Sequence, residues 1–223
     1  MNVRQSRSDA TKQSLMRAAE KLIADRGIEN VSIRDIVSAA GQKNESALQY
    51  HFGNLQGLIT ALHAVRDAEI QARRSALIEA ALAETPSPSL RDICKLMVAP
   101  TFELARSSPG YRRYVKAFGH EITLAEGTAL AMANRKGGES ALRTGVLLRE
   151  VLTHLDTAAF ERRMDGALRF VSAAMVNHAR QRNAFRSPEA ELFFSSLIDA
   201  LVGLLSAPQS DETTAIIRSM KPT

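Results

Sequence analysis

The sequence predicts an all-α protein of about nine helices, a small N-terminal three-helix unit followed by a larger helical domain. Three observations predict it. Apolar residues recur at helical spacing almost everywhere, and no stretch alternates as a strand would. Ser, Asp and Asn stand just before these periodic runs, where a side-chain oxygen caps the first free N–H groups of a helix. Glycine and proline fall between the runs and punctuate them.

Taken in order, the first run places Leu15, Ala18, Ala19, Leu22 and Ile23 on one face, with Ser8 as its expected cap and Gly27 as its stop. Ser32 and Asp35 form a capping-box pattern ahead of Ile33, Ile36, Val37 and Ala40, and Gly41 ends that second helix. A third short helix is expected over 44–51. It leads through Phe52 and Gly53 to Asn54, which can cap a fourth helix. From there Leu58, Ile59, Leu62, Val65, Ile70, Leu77, Ile78 and Leu82 predict a connecting rod to about residue 83, either one long helix or two abutting ones.

Residues 84–89 read as a loop, and Ser89 with Asp92 starts a further helix, which Pro100 is expected to kink or break. Ser108-Pro109 restarts the chain with proline in a first-turn position, and Tyr111, Tyr114, Val115 and Phe118 share a side. Gly127 and Gly137-Gly138 mark breaks. Two strongly apolar helices are expected at about 157–182 and 189–205, and the polar residues from Ala207 are expected to be loose. This reading divides the chain into residues 1–53, 54–206 and a tail at 207–223.

Composition narrows the function classes. Hydrophobic residues make up 45% and charged residues 24%, which fits a soluble globular chain and excludes a fibrous or disordered one. Lys and Arg outnumber Asp and Glu by 29 to 24, and Arg4, Arg7, Lys12 and Arg17 precede or open the first apolar run against Asp9 alone. A basic arm of that kind is expected to lie along phosphates. The single cysteine, Cys94, rules out an internal disulfide or a multi-cysteine metal cluster and fits a reducing cytoplasm. His51, His63, His120, His154 and His178 are scattered, with no pair at metal-ligand spacing. The opening MNVRQSRSDATKQ has no apolar export segment, and no uninterrupted apolar run approaches about eighteen residues, so a cytoplasmic protein without a membrane partner is expected. No Gly-rich phosphate loop, G-x-S-x-G or H-E-x-x-H pattern occurs, so neither catalysis nor a cofactor is expected.

The first three helices, the last two joined by a turn containing Gly41, match a helix-turn-helix, in which one helix crosses the DNA backbone and the next enters the major groove. Ile33, Ile36, Val37, Ala40, Leu48 and Phe52 would pack inward. Lys43, Asn44, Glu45, Ser46, Gln49 and Tyr50 would then face outward as a polar reading surface. The run VSIRDIVSAAGQKNESALQYHFGNLQGLI resembles the DNA-binding segment of the tetracycline-repressor (TetR) family of transcriptional regulators. Ser32, Ile36, the pair Ala40-Gly41, the signature Tyr50-His51-Phe52 and Leu58 carry the resemblance, which covers roughly residues 10–62. Three features depart from it: Gln49 replaces an aromatic, Leu55 replaces a lysine that anchors phosphate, and the turn from Gly41 to Leu48 is one residue longer.

Double-stranded operator DNA is the partner this resemblance implies. Asn44, Ser46 and Gln49 are the candidates for base edges, since an amide pairs with adenine N6 and N7. Lys43 suits a phosphate. Tyr50 and His51 suit phosphate or local packing, and Glu45 either a cytosine amine or solvent. Ser32 and Arg34, opening the second helix, suit a phosphate on the adjacent strand.

In the larger domain, Phe160, Met164, Ala167, Leu168, Val171, Ala174 and Met175 stripe one of the last helices, and Leu192, Phe193, Leu197, Ala200, Leu201, Leu204 and Leu205 the other. The resemblance implies a homodimer in which this pair meets its symmetry mate in a four-helix bundle, with Met164, Leu168, Val171, Met175, Leu197, Leu201 and Leu204 at the interface. Ordinary internal core is the other reading of the same stripes. Met97, Phe102, Tyr111, Tyr114, Phe118 and Met132 are the candidates for an adaptable pocket, or for plain core. The effector expected there is small and apolar, acyl or aromatic, and the family's usual logic is a repressor that such a ligand releases from a near-palindromic operator. The rivals are an enzyme and a helical scaffold that binds only protein.

Overall fold

The structure, a computed structural model, describes residues 3–124 and 126–220, with the side chains of residues 3–6 outside the described set. Helix α1 spans Val3–Arg26, and a single 3-10 turn, Ile28–Asn30, leads to α2 at Ile33–Ala39 and α3 at Ser46–Phe52. The rod α4 runs over Leu55–Glu84. It is followed by α5 (Leu90–Ser107), α6 (Pro109–Phe118), α7 (Glu121–Leu124), α8 (Ala129–Val151), α9 (Thr157–Ala179), α10 (Pro188–Ser206) and α11 (Asp211–Ser219). No strand occurs among the described residues.

Local chemistry explains most boundaries. Ser32 accepts from the Asp35 N–H while the Asp35 carboxylate accepts from Ser32, a complete capping box, and Ser89 and Asp92 repeat it ahead of α5. Asn54 accepts from the Gly57 N–H at 2.8 Å, and Gly53 just before it takes a left-handed turn at φ 77°. Ser108 caps α6 with Pro109 in its first turn, where the missing N–H costs nothing.

Two cores result. The first packs Leu15, Ala19 and Ile23 of α1 against Ile36, Val37 and Leu48, and is closed by Leu58, Ile59 and Leu62 of α4. Each fully buried aliphatic side chain contributes about 1.5–3 kcal/mol to holding the three short helices. The second core joins Ile78 of α4 to α5, α6 and α8–α10. Ala117 and Phe118 of α6 sit in the first core, so the domain division at residue 53 understates the contact between head and body. A buried ion pair reinforces that contact. Glu20 of α1 has no exposure and accepts from Arg66 of α4 at 2.7 Å, and Arg66 also reaches Glu69 at 2.8 Å.

Several sequence expectations change. α1 begins at Val3 rather than at Ser8, so the basic arm is continuous with the helix; Arg7, Lys12 and Arg17 are exposed along it, while the Arg4 side chain lies outside the described residues. α3 starts at Ser46, which leaves Asn44 and Glu45 in the turn. α5 continues through Pro100 without a break, because buried neighbours from Ile93 to Ala105 hold it in place despite the lost backbone hydrogen bond. The tail expected to be loose carries α11, capped by Ser210 through the Thr213 N–H at 3.2 Å. The helix count rises to eleven among the described residues. The glycine break does appear: α8 bends at Gly138, whose φ of 53° and ψ of −148° interrupt the helix.

Candidate nucleic-acid interface and effector cavity

The first core turns the inner side of α3, with Leu48 buried and Ala47 and Phe52 half-buried, toward α1 and α4. Ser46, Gln49 and Tyr50 consequently face water, and Tyr50 is 83% exposed. Arg34, Lys43, Asn44 and Glu45 are exposed in the same helix-turn-helix segment. Internal bonds divide these groups. Asn44 Oδ1 accepts from the Ser46 N–H at 3.2 Å and from the Ser46 hydroxyl, so this pair shapes the turn that leads into α3. Ser32 Oγ donates to Asp35 at 2.6 Å, and the resulting bonds hold the Asp35 carboxyl below its ordinary range. Among the described residues Gln49, Tyr50, Arg34 and Lys43 have no internal side-chain hydrogen bond or ion pair. His51 is half-buried, with its ring edge-on to Tyr50 at 5.0 Å. Lys12 of α1 lies 5.9 Å from the Phe52 ring centroid, which ties it to the end of α3.

In the body, α4, α5, α6, α8 and α9 surround a cavity of about 220 Å³. Met97, Tyr111, Tyr114 and Phe118 line it. Phe102 does not: its ring packs on Phe194 at 4.7 Å and Phe185 at 5.7 Å, on the far side of α5. Met132 is also absent from the wall, because Leu130, Ala133 and Asn134 are the residues this turn of α8 presents to it. α9 contributes Met164, Leu168, Val171 and Met175, four of the residues assigned from sequence to a dimer interface. Leu197 and Leu201 are likewise buried in the chain's own core and Leu204 is half-buried against it, so the internal-core reading describes those stripes. The exposed sides of the same helices carry Gly166, Phe170 and Ala173 on α9 and Leu192, Ser196, Ala200 and Gly203 on α10. At 39% for Phe170 and 69% for Leu192, these are large apolar groups left in water.

Sequence reasoning missed the polar wall of the cavity. Asp67, Ile70 and Arg74 share a face of α4, joined by Glu121, Lys136, Thr101, Thr144 and Ser172. Glu121 is fully engaged, with His63 Nε2 at 3.1 Å and Lys136 Nζ at 2.6 Å, while Tyr114 Oη lies 2.9 Å from His63 Nδ1. Burial works against the Glu121 carboxylate, yet hydrogen bonds from His63 and Lys136 hold it down at about 2. Burial pushes the Asp67 carboxyl and the Tyr111 and Tyr114 phenols up. The signal that could have found this wall is Arg74 itself. It stands inside the apolar stripe formed by Ile70, Leu77 and Ile78, a place where an arginine needs a reason.

Among the described residues no group of His, Cys, Asp and Glu could hold a metal ion, and no single helix is long and apolar enough to cross a membrane.

Comparison with known proteins bears directly on the head. Residues 15–62 match the model of the family described as bacterial regulatory proteins, tetR family. No curated protein sequence matches. A solved TetR family transcription regulator from Marinobacter aquaeolei VT8 is similar over 88% of this chain and 97% of its own, with 16% identity and a TM-score of 0.56, which shows a shared fold. A mutant of the protein HlyIIR is similar over 93% of this chain and 99% of its own, at 16% identity and a TM-score of 0.47.

Proposed function

We propose that this chain, whose residues 15–62 match the tetR family model on an otherwise all-helical body, is a ligand-relieved transcriptional repressor binding a near-palindromic operator as a dimer. The observation that carries the reading is the outer face of α3, where Gln49 and Tyr50 stand exposed with no side-chain hydrogen bond or ion pair among the described residues, on a helix whose other side is locked into the head. Gln49 is the base reader in this account. Its amide is free to pair with one base edge, whereas Asn44 and Ser46 are spent on the turn. Arg34, Lys43 and Tyr50 bind phosphate and set the register.

Dimerisation supplies the second half-site. The exposed stripe of Gly166, Phe170 and Ala173 on α9, with Leu192, Ser196, Ala200 and Gly203 on α10, suits close helix packing against a second copy. The cavity is the effector site. Its wall includes Asp67 and Arg74 of α4 and Tyr111 and Tyr114 of α6, and these two helices also enter the core of the head. A ligand that binds one arrangement of α4 and α6 better than another shifts the operator affinity by that difference in binding energy.

Purified protein incubated with fragmented genomic DNA at near-physiological salt tests the reading. Sequencing of the bound fragments is expected to show a short near-palindrome. Recovery of bulk DNA without enrichment, lost uniformly as salt rises, contradicts it.

A further inference from the structure

Arg74 is the charge in the cavity wall that the protein itself does not answer. Its polar contact is the Ser140 hydroxyl at 3.3 Å, and no acidic side chain among the described residues forms an ion pair with it. Tyr111 stands nearby, but burial keeps that phenol protonated, so it supplies no counter-charge. The other cation in the wall, Lys136, is already matched by Glu121. The backbone makes room for the guanidinium. A Cβ at Gly137 would fall 2.4 Å from the Ala141 Cβ and 3.0 Å from Arg74 Nη1, and α8 bends at the next residue.

Asp67, which has no hydrogen bond or ion pair among the described residues, sits two turns earlier on the same face of α4, and the two differ in what they can do. A carboxyl can shed its charge by taking a proton, and burial pushes Asp67 in that direction. A guanidinium stays charged and requires an anion. A dianion such as phosphate would meet Glu121 and Asp67 in the same space. The remaining wall, with Met97, Leu148, Phe160, Met164, Leu168 and Met175, is apolar.

We propose that the cavity binds an amphipathic monocarboxylate, with the carboxylate on the Arg74 guanidinium and an alkyl or aryl body along the methionine-rich wall. The ligand is thus an organic acid rather than a neutral apolar molecule. This rests on the reading of the cavity as an effector site.

Two matched probe pairs test it by calorimetric titration near neutral pH: octanoate against octan-1-ol, and phenylacetate against 2-phenylethanol. In the native protein at least one acid is expected to bind ~10- to 100-fold more tightly than its alcohol, the range for a charge-assisted contact. Arg74→Gln is expected to remove that preference and leave the alcohol's affinity unchanged, while Asp67→Asn keeps the preference. Alcohols that match or exceed both acids in the native protein overturn the proposal. So does an acid preference that persists in Arg74→Gln. DNA binding is read separately on ligand-free protein. Operator binding without any acid preference refutes the ligand class alone, and an acid preference without operator binding refutes the regulator reading alone.

Discussion

The outer face of α3 and the wall of the cavity both carry polar side chains that the protein itself leaves largely unmatched, under opposite physical conditions. On α3, Gln49 and Tyr50 stand in water, which satisfies them until a partner arrives. In the cavity, Arg74 is withdrawn from water with a single hydroxyl contact, and burial opposes its charge. Exposure makes a binding residue inexpensive and therefore weakly diagnostic, since many solvated surface residues look the same. Burial makes it costly, so an unanswered charge points to a ligand more sharply. Arg66, eight positions earlier on α4, provides the control. It too is largely buried, but Glu20 and Glu69 hold it.

The largest effect should come from breaking that control. Arg66→Met leaves Glu20 buried without its cation, and the expected loss is about 3–5 kcal/mol, read from chemical denaturation. Replacing both partners, Glu20→Leu with Arg66→Met, should recover most of it. Arg74→Met sharpens the contrast by going the other way: ligand-free protein should melt higher, because no partner is stranded. A loss as large as that of Arg66→Met would erase the distinction between the two arginines.

On the exposed side, Gln49→Ala should cost about 1–3 kcal/mol on the enriched operator and little on unrelated DNA. Lys43→Ala should weaken both equally and reduce the salt dependence by about one phosphate contact. Competition binding across a salt series separates the two roles, and a uniform loss in Gln49→Ala would return that residue to the phosphate group. If the chain dimerises through α9 and α10 as proposed, Phe170→Glu should give a monomer by light scattering, whereas a change at Met164 should alter the cavity first.

The smallest effect concerns Glu121. Its carboxyl is held at about 2 in the fold, below the ordinary 4.5. The stabilisation is therefore complete above the ordinary value and fades as pH falls from there toward about 2. Melting temperatures measured down that range should fall more steeply for the native protein than for Glu121→Gln. Equal slopes would mean that the contacts to His63 and Lys136 contribute nothing in solution.

These two regions are unequally legible in the sequence. Caps act over three or four residues, so Ser32, Asn54, Ser89 and Ser108 can be placed from the chain alone. The same locality sets the inward side of α2 and α3 and with it the exposed set from Lys43 to Tyr50. What local pattern does not specify is which buried side of an amphipathic helix meets a cavity, the core or another chain. Met164, Met175, Leu197 and Leu201 look like an interface because they are a dense apolar stripe, yet α9 and α10 turn that stripe inward and leave Phe170 and Leu192 outside. Phe102 misses the cavity for the same reason: its spacing marks it as apolar and inward, not which side of α5 it faces. Asn44 stands just outside the helix expected to begin with it, and its side-chain oxygen holds the turn through Ser46 instead.

The central claim is that α3 reads a specific DNA sequence. Its most direct test is the ratio of affinities of the purified, ligand-free protein for the enriched near-palindrome and for a scrambled duplex of equal length and composition, at one near-physiological salt concentration. The ratio is expected to be ~1,000 or more and to fall sharply in Gln49→Ala. Equal affinities for the two duplexes would contradict it.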